Sequence, residues 1–322
     1  MINQPLTWSE KKLSNSKKKL YFYLAFFGAV GIVLSFFMGY CQIRHTQLAE
    51  IRYGTANILS FTDDQSLPIK IMTYFDDNSV VTVFCLVCAI AVVLSMLIPA
   101  LTMKCDVKAE VPNSIFTVFA SSLLGFLFAG YVVNFILIPL RPFWTTVKLP
   151  GPDFNVMAPM LKVLFIAGII VSVPCAVYFL LIATQHRFTQ NKNMCILSVF
   201  PVIWLSLRLV FYFMSTSAHV NLAGRKLFIL SIVFAIIFFV QDAKRWIPAK
   251  DAENTSGSSK SSILYLASGF ASVVSFTVYH LSTTYLQAFW MLKPEDTYIL
   301  NGIFISMILF IAFRLASVKT SD

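Results

Sequence analysis

The sequence predicts an all-α fold, a polytopic transmembrane bundle of about eight helices. Three observations carry this. The chain is 57% hydrophobic and only 12% charged. Its mean hydropathy is +0.75. Its apolar residues come in long runs rather than at the spacing of a surface helix. A helix in lipid must satisfy its own backbone and needs roughly 20 apolar residues to cross the hydrocarbon core, so the runs count the crossings.

In chain order the runs cover 20–40, 79–103, 115–140, 160–184, 195–217, 226–243, 263–287 and 297–316. The first follows "EKKLSNSKKKLYFY", which reads as the start of a start-transfer helix, and no small-residue cleavage pattern comes after it. Gly28, Ser35 and Gly39 make a small-residue face suited to close helix packing. The sixth run is short, with an uninterrupted apolar part from Leu227 to Val240. It crosses if Arg225 and Lys226 snorkel at one end and Lys244 and Arg245 at the other. Otherwise it is re-entrant, seven spans remain, and the C-terminus changes side.

Lys and Arg are retained on the cytoplasmic side, which sets the expected orientation. With both termini inside, 15 of the 25 basic residues are cytoplasmic, among them Lys17, Lys18, Lys19, Lys244, Arg245 and Arg314, and nine are outside. Asp63, Asp64, Asp76 and Asp77 all fall in the first outer loop. The expected location is the plasma membrane. The +10 net charge reads as retention charge plus attraction to anionic lipid, with no nucleic-acid partner.

The expected organisation is a basic cytoplasmic N-terminus (1–19), one bundle (20–316) and a cytoplasmic tail (317–322). The outer loops are 41–78 and 141–159; the second is rich in proline and aromatic residues and suits the headgroup zone. Residues 248–262, "PAKDAENTSGSSKSS", read as a polar cytoplasmic linker. The six cysteines do not form a disulfide framework. "CLVC" at Cys85–Cys88 reads as buried thiols in an apolar helix, and no metal site or cofactor is implied.

Several chemistries lack their residues. There is no HExxH helix, Walker A loop or GxSxG elbow, and no Asp or Glu falls well inside any run, which lowers carboxylate-coupled carriers and intramembrane aspartyl proteases. No catalytic residue is assigned and an enzyme is not the expected reading. What stands out is Arg208, about two residues from the middle of the fifth run. Such a residue costs roughly 2.5–3.5 kcal/mol on insertion scales. Arginine cannot shed its proton, so it must meet water, carbonyl oxygens or an anion.

At helical spacing Trp204, Arg208, Tyr212, Ser215 and His219 share one face, with Leu205, Leu207, Val210 and Phe213 directed elsewhere. Asn134 in the third run and Tyr279 and His280 in the seventh lie at depths that let them join Arg208 around an outward-opening pocket. Ser268, Ser272, Ser275 and Ser282 form a hydroxyl stripe that reads first as packing. His280 alone reads first as a satisfied bundle histidine.

The run "PVIWLSLRLVFYFMSTSAHVNLAGRKLFILSIVFAIIFFVQDAKRW", with its Pro201, Trp204 and Arg208 spacing and its Phe-rich span ending in "AKRW", resembles a group of uncharacterised multi-pass membrane proteins of Firmicutes-type bacteria. That group carries no established activity, so the resemblance implies a kind of protein and no mechanism. The residues themselves support three expectations. The first is a transporter-like protein or one that binds a small anionic ligand through Arg208, Tyr212, Asn134, Tyr279, His280 and Trp204. The second is a non-catalytic accessory or envelope-sensing protein that holds a protein partner. The third is a lipid-modifying enzyme with His280 as its base. In each case the lipid bilayer is the constant partner.

Overall fold

The computed structural model describes residues 8–52, 78–103, 105–106, 113–137, 159–185, 191–215, 223–247, 258–282 and 296–320. Eight helices in it are long and apolar enough to cross a membrane. They are α1 (Trp8–Arg52), α2 (Asn78–Thr102), α3 (Ile115–Leu137), α4 (Pro159–Thr184), α5 (Val199–Ser215, preceded by a short helical turn Lys192–Leu197), α6 (Ala223–Ala243), α7 (Ser258–Phe276) and α8 (Asp296–Ala316). The protein is an integral, multi-pass membrane protein with an all-α bundle.

Several boundaries differ from the sequence reading. Helix α1 begins well before residue 20 and runs on to Arg52, so part of the expected first outer loop is helical. Pro99 lies inside α2 and Pro174 inside α4, where packed neighbours tolerate the missing backbone donor. The paired acids Asp63, Asp64, Asp76 and Asp77, most of the 141–159 loop and the first part of the 248–262 linker lie outside the described residues. Helix α7 already begins at Ser258, within that linker.

Helix α7 is the axis of the bundle. It is the most deeply enclosed of the eight, and it packs against α1, α2, α6 and α8. Its serines explain how a polar stripe sits in a dry core. Ser268, Ser272 and Ser275 each donate to the carbonyl four residues back, at 2.6–2.7 Å, and Ser282 to that of Tyr279 at 2.6 Å. Hydroxyls satisfied by their own helix need no partner elsewhere, so the packing reading of this stripe holds. After Phe276 the helix widens to a π segment, Thr277–Leu281.

Small residues set the closest approaches. A Cβ at Gly269 would lie 2.7 Å from Leu315, and one at Gly31 would lie 3.1 Å from Thr277, so α8 and α1 press on α7 at glycines. The contact on α1 runs through Gly31, buried Ser35 and Gly39. Gly28, expected on that face, has open space at its Cβ. Outward, the spans present large apolar side chains such as Leu101, Phe119, Phe126 and Ile170, a surface suited to lipid.

The sixth span crosses fully. Helix α6 has 21 residues, about 31 Å at 1.5 Å per residue. Its second turn places Phe228 against Tyr212 at the end of α5, with ring centroids 4.1 Å apart. Beyond its last turn, Trp246 meets Tyr178 near the end of α4. Adjacent antiparallel spans end on opposite sides, so α6 touches both. A second geometric fact agrees. Strand β1 (Cys105–Asp106), just after α2, pairs antiparallel with β2 (Lys319–Thr320), just after α8. The ends of those spans share a side, which requires an even number of crossings between them. Six full crossings, α3 to α8, satisfy this; a re-entrant α6 leaves five. The seven-span alternative is therefore overturned.

Helices α3 and α4 form the tightest pair, and their packing is testable. A Cβ at Gly125 would fall 2.6 Å from buried-side Leu180 and 3.3 Å from the Ala176 carbonyl, whereas Gly130 on the same helix has nothing within 4 Å. Gly125→Val should lower thermal stability in detergent by roughly 1–3 kcal/mol through overpacking. Gly130→Val should leave the melting temperature unchanged within error.

Candidate anion site and a buried ion cluster

Of the face expected on α5, the described members Trp204, Arg208 and Tyr212 turn into the bundle. Trp204 is fully buried and Arg208 is 8% exposed, while Val210 and Phe213 look outward at 44% and 64%. Leu205, expected to face elsewhere, is also fully buried, because the enclosed arc covers both i and i+1 positions of this turn. Arg208 sits toward the Ser215 end of the span Lys192–Met214 rather than near its middle. Six residues, about 9 Å of helix rise, separate it from Met214.

What meets the guanidinium is an aromatic cage with one hydroxyl. Arg208 Nη2 donates to the Tyr131 hydroxyl on α3. Its guanidinium carbon lies 5.1 Å from the Tyr131 ring centroid, 5.3 Å from Trp204, 5.9 Å from Phe211 and 6.0 Å from Phe165 on α4. A hydrogen bond to a charged group contributes about 1.5–3 kcal/mol and a desolvated cation–π contact about 0.5–2. Together these offset an insertion cost of roughly 2.5–3.5 kcal/mol. Among the described residues, therefore, the cation is held without a countercharge.

Two donors in this cage have no acceptor among the described residues. They are Arg208 Nε and the indole Nε1 of Trp204, both buried and one helical turn apart. The ion pairs among the described residues, Asp242 with Arg245 and with Arg314, do not include Arg208.

The other expected site residues divide. Tyr131 and Asn134 stand one turn apart on α3, and Asn134 is half-buried. Tyr212, Tyr279 and His280 form a second group around Phe228, at centroid distances of 4.1, 4.9 and 5.6 Å. His280 stacks on Phe304 of α8 at 4.1 Å. Phe304 is the link, since it also lies 5.7 Å from Trp204. The two groups are thus adjoining compartments of one aromatic interior. Ser215 has its side chain, and His219 its whole residue, outside the described set.

At the other end of the bundle the structure holds a cluster that sequence reasoning treated as boundary charges. Arg314 Nη2 donates to Asp242 Oδ2 at 2.9 Å, with both side chains essentially inaccessible. Arg245 Nη1 stands 3.7 Å from Asp242 Oδ1 and donates to the Tyr265 hydroxyl at 3.4 Å, while that hydroxyl donates to Asp242 Oδ1 at 3.3 Å. Trp246 Nε1 donates to Tyr178 at 3.3 Å. This corrects one expectation: Arg245 and Arg314 are enclosed rather than solvated retention charges, and they meet Asp242, which is buried in the last turn of α6 at the end of its run. They sit inside because "QDAKRW" folds its last residues into a 3₁₀ turn, Lys244–Trp246, that returns Arg245 and Trp246 to the core. The available signal was the acid three residues before an arginine at the end of a span, with a second arginine at the matching end of the eighth.

No group of three or more His, Cys, Asp or Glu among the described residues has the arrangement to hold a metal ion. No family model matches the chain, and neither a curated protein nor a solved structure does.

The Tyr131 contact yields a stability test. Tyr131→Phe orphans Arg208 Nη2 and should cost about 1.5–3 kcal/mol. Combining it with Arg208→Met removes both partners and should recover most of that loss, as read by thermal unfolding in detergent.

Proposed function

We propose that this protein binds, and in a transporter-like manner handles, a small ligand bearing an oxyanion, with Arg208 as the charge that receives it. The observation that supports this is the pair of buried donors, Arg208 Nε and Trp204 Nε1, left without acceptors among the described residues beside a guanidinium that none of the described carboxylates neutralises. Buried donors and charges demand partners, and a planar carboxylate or a phosphate supplies several acceptor oxygens at once. Aromatic rings on several sides leave the edge of the guanidinium as the direction of approach. Tyr131 serves to orient Arg208, while Phe165, Phe211 and Trp204 exclude water and strengthen the charge interaction. Asn134, Tyr212, Tyr279 and His280 stand as the neighbouring polar groups that contact the rest of the ligand. The lipid-enzyme reading loses ground, because His280 is 1% exposed and enclosed by rings.

In the orientation assigned by the basic residues, both termini are cytoplasmic and Arg208 lies in the outer half of a plasma-membrane protein. The competing reading is an accessory protein in which Arg208 only ties α5 to α3. A panel of carboxylates and phosphates, screened by thermal unfolding of the detergent-solubilised protein, separates the two. A cognate anion at about 100 times its Kd should stabilise the wild type by about 2.7 kcal/mol and leave Arg208→Gln unmoved. If no anion distinguishes wild type from Arg208→Gln, the binding role fails and the tie remains.

A further inference from the structure

We infer that the Asp242 cluster is a gate lock: it closes the end of the bundle opposite Arg208, and a ligand received at Arg208 passes only when it opens. The inference rests on the ligand-handling reading above. Four observations carry it.

The cluster joins four spans at one level. Tyr178 comes from α4, Asp242 with Arg245 and Trp246 from α6 and its 3₁₀ turn, Tyr265 from α7 and Arg314 from α8. These are the most enclosed spans of the bundle, so the knot lies at the centre of that end. Next, its bonds are polar and directional, in a setting where a fully apolar plug packs at lower cost. Buried ion pairs are often no more stable than apolar replacements, and their best-attested use is to select between arrangements. Third, spans that carry the lock also carry a point of bending between it and the Arg208 end. Pro174 lies one turn before Tyr178 in α4, and the π segment Thr277–Leu281 lies at the His280 end of α7. Proline and π geometry are the usual sites where a helix bends. Fourth, at the opposite end Phe228, Tyr212, Tyr279 and Phe304 meet through their rings, contacts that can slide.

The chain contains its own reporter. Cys175 is fully buried on α4, one turn before Tyr178. In a background with Cys41, Cys85, Cys88, Cys105 and Cys195 replaced by serine, Cys175 is the single thiol. Its reaction with N-ethylmaleimide is followed in proteoliposomes well below each variant's melting temperature. Two variants weaken the lock. Asp242→Asn removes the charge, and Tyr265→Phe removes the bridging hydroxyl without unpairing an ion, so the test survives if Asp242→Asn fails to fold. A matched control moves the thiol to the other half by Cys175→Ser with Ser231→Cys, a fully buried α6 position.

Cys175 should label on the order of tenfold faster in the lock variants, a shift corresponding to about 1.4 kcal/mol, with Ser231→Cys labelling unchanged. If Cys175 labelling does not rise, or if both positions rise together as in general loosening, the lock is overturned. No anion is present in this experiment. Failure here leaves the anion-binding result at Arg208 untouched, and failure of anion binding leaves this labelling result readable.

Discussion

The contact on which the bundle depends is the ion pair of Asp242 with Arg314. Two charges with almost no access to water must each find nearly all of their hydrogen bonding in the other and its neighbours. That requirement fixes where α6 ends relative to α8, and through Tyr265 and Arg245 where α7 begins. The Trp246 bond to Tyr178 then brings in α4, and Asn113, donating to the Ile182 and Gln185 carbonyls at 2.9 and 3.0 Å, ties the start of α3 to the same end. Lipid supplies no hydrophobic force between helices, so directional contacts and close fit must do the selecting.

The two buried arginines make an instructive pair. Arg314 has a carboxylate and forms part of a knot. Among the described residues Arg208 has instead a phenol and four rings. The same charge thus meets a carboxylate at one end of the molecule and an aromatic cage at the other. The aromatic interior between them, from Trp204 through Phe304 to His280, abuts the π segment of α7, and α7 carries Tyr265 toward the ion cluster. Helices α4, α6 and α8 likewise contribute to both ends, through Phe165 and Tyr178, Phe228 and Asp242, and Phe304 and Arg314.

Much of this was legible in the sequence. Run length and hydropathy gave the helices because the bilayer imposes a length, and the Trp204 and Arg208 face was readable because a 3.6-residue period places them together. The serine stripe of α7 reads as packing because each hydroxyl bonds back to its own helix. What could not be read was which charges near span ends are solvated. Lys244 and Arg245 look alike as sequence, and only the 3₁₀ turn after Ala243 separates the exposed cation from the buried one. The division of the expected site into an Arg208 cage and a His280 group also depends on long-range helix placement. The two-residue ribbon that decides the parity of crossings has no local signal at all.

The central claim is that Arg208 is held for a ligand and not for the fold. Thermal unfolding of Arg208→Met and Arg314→Met, compared without added anions, tests it directly. Removing Arg314 strands Asp242 and should cost about 3–5 kcal/mol. Removing Arg208 strands no carboxylate and should be close to neutral, or stabilising, since its cost and its compensation roughly cancel. Equal losses in the two variants would contradict the account and make Arg208 a structural tie.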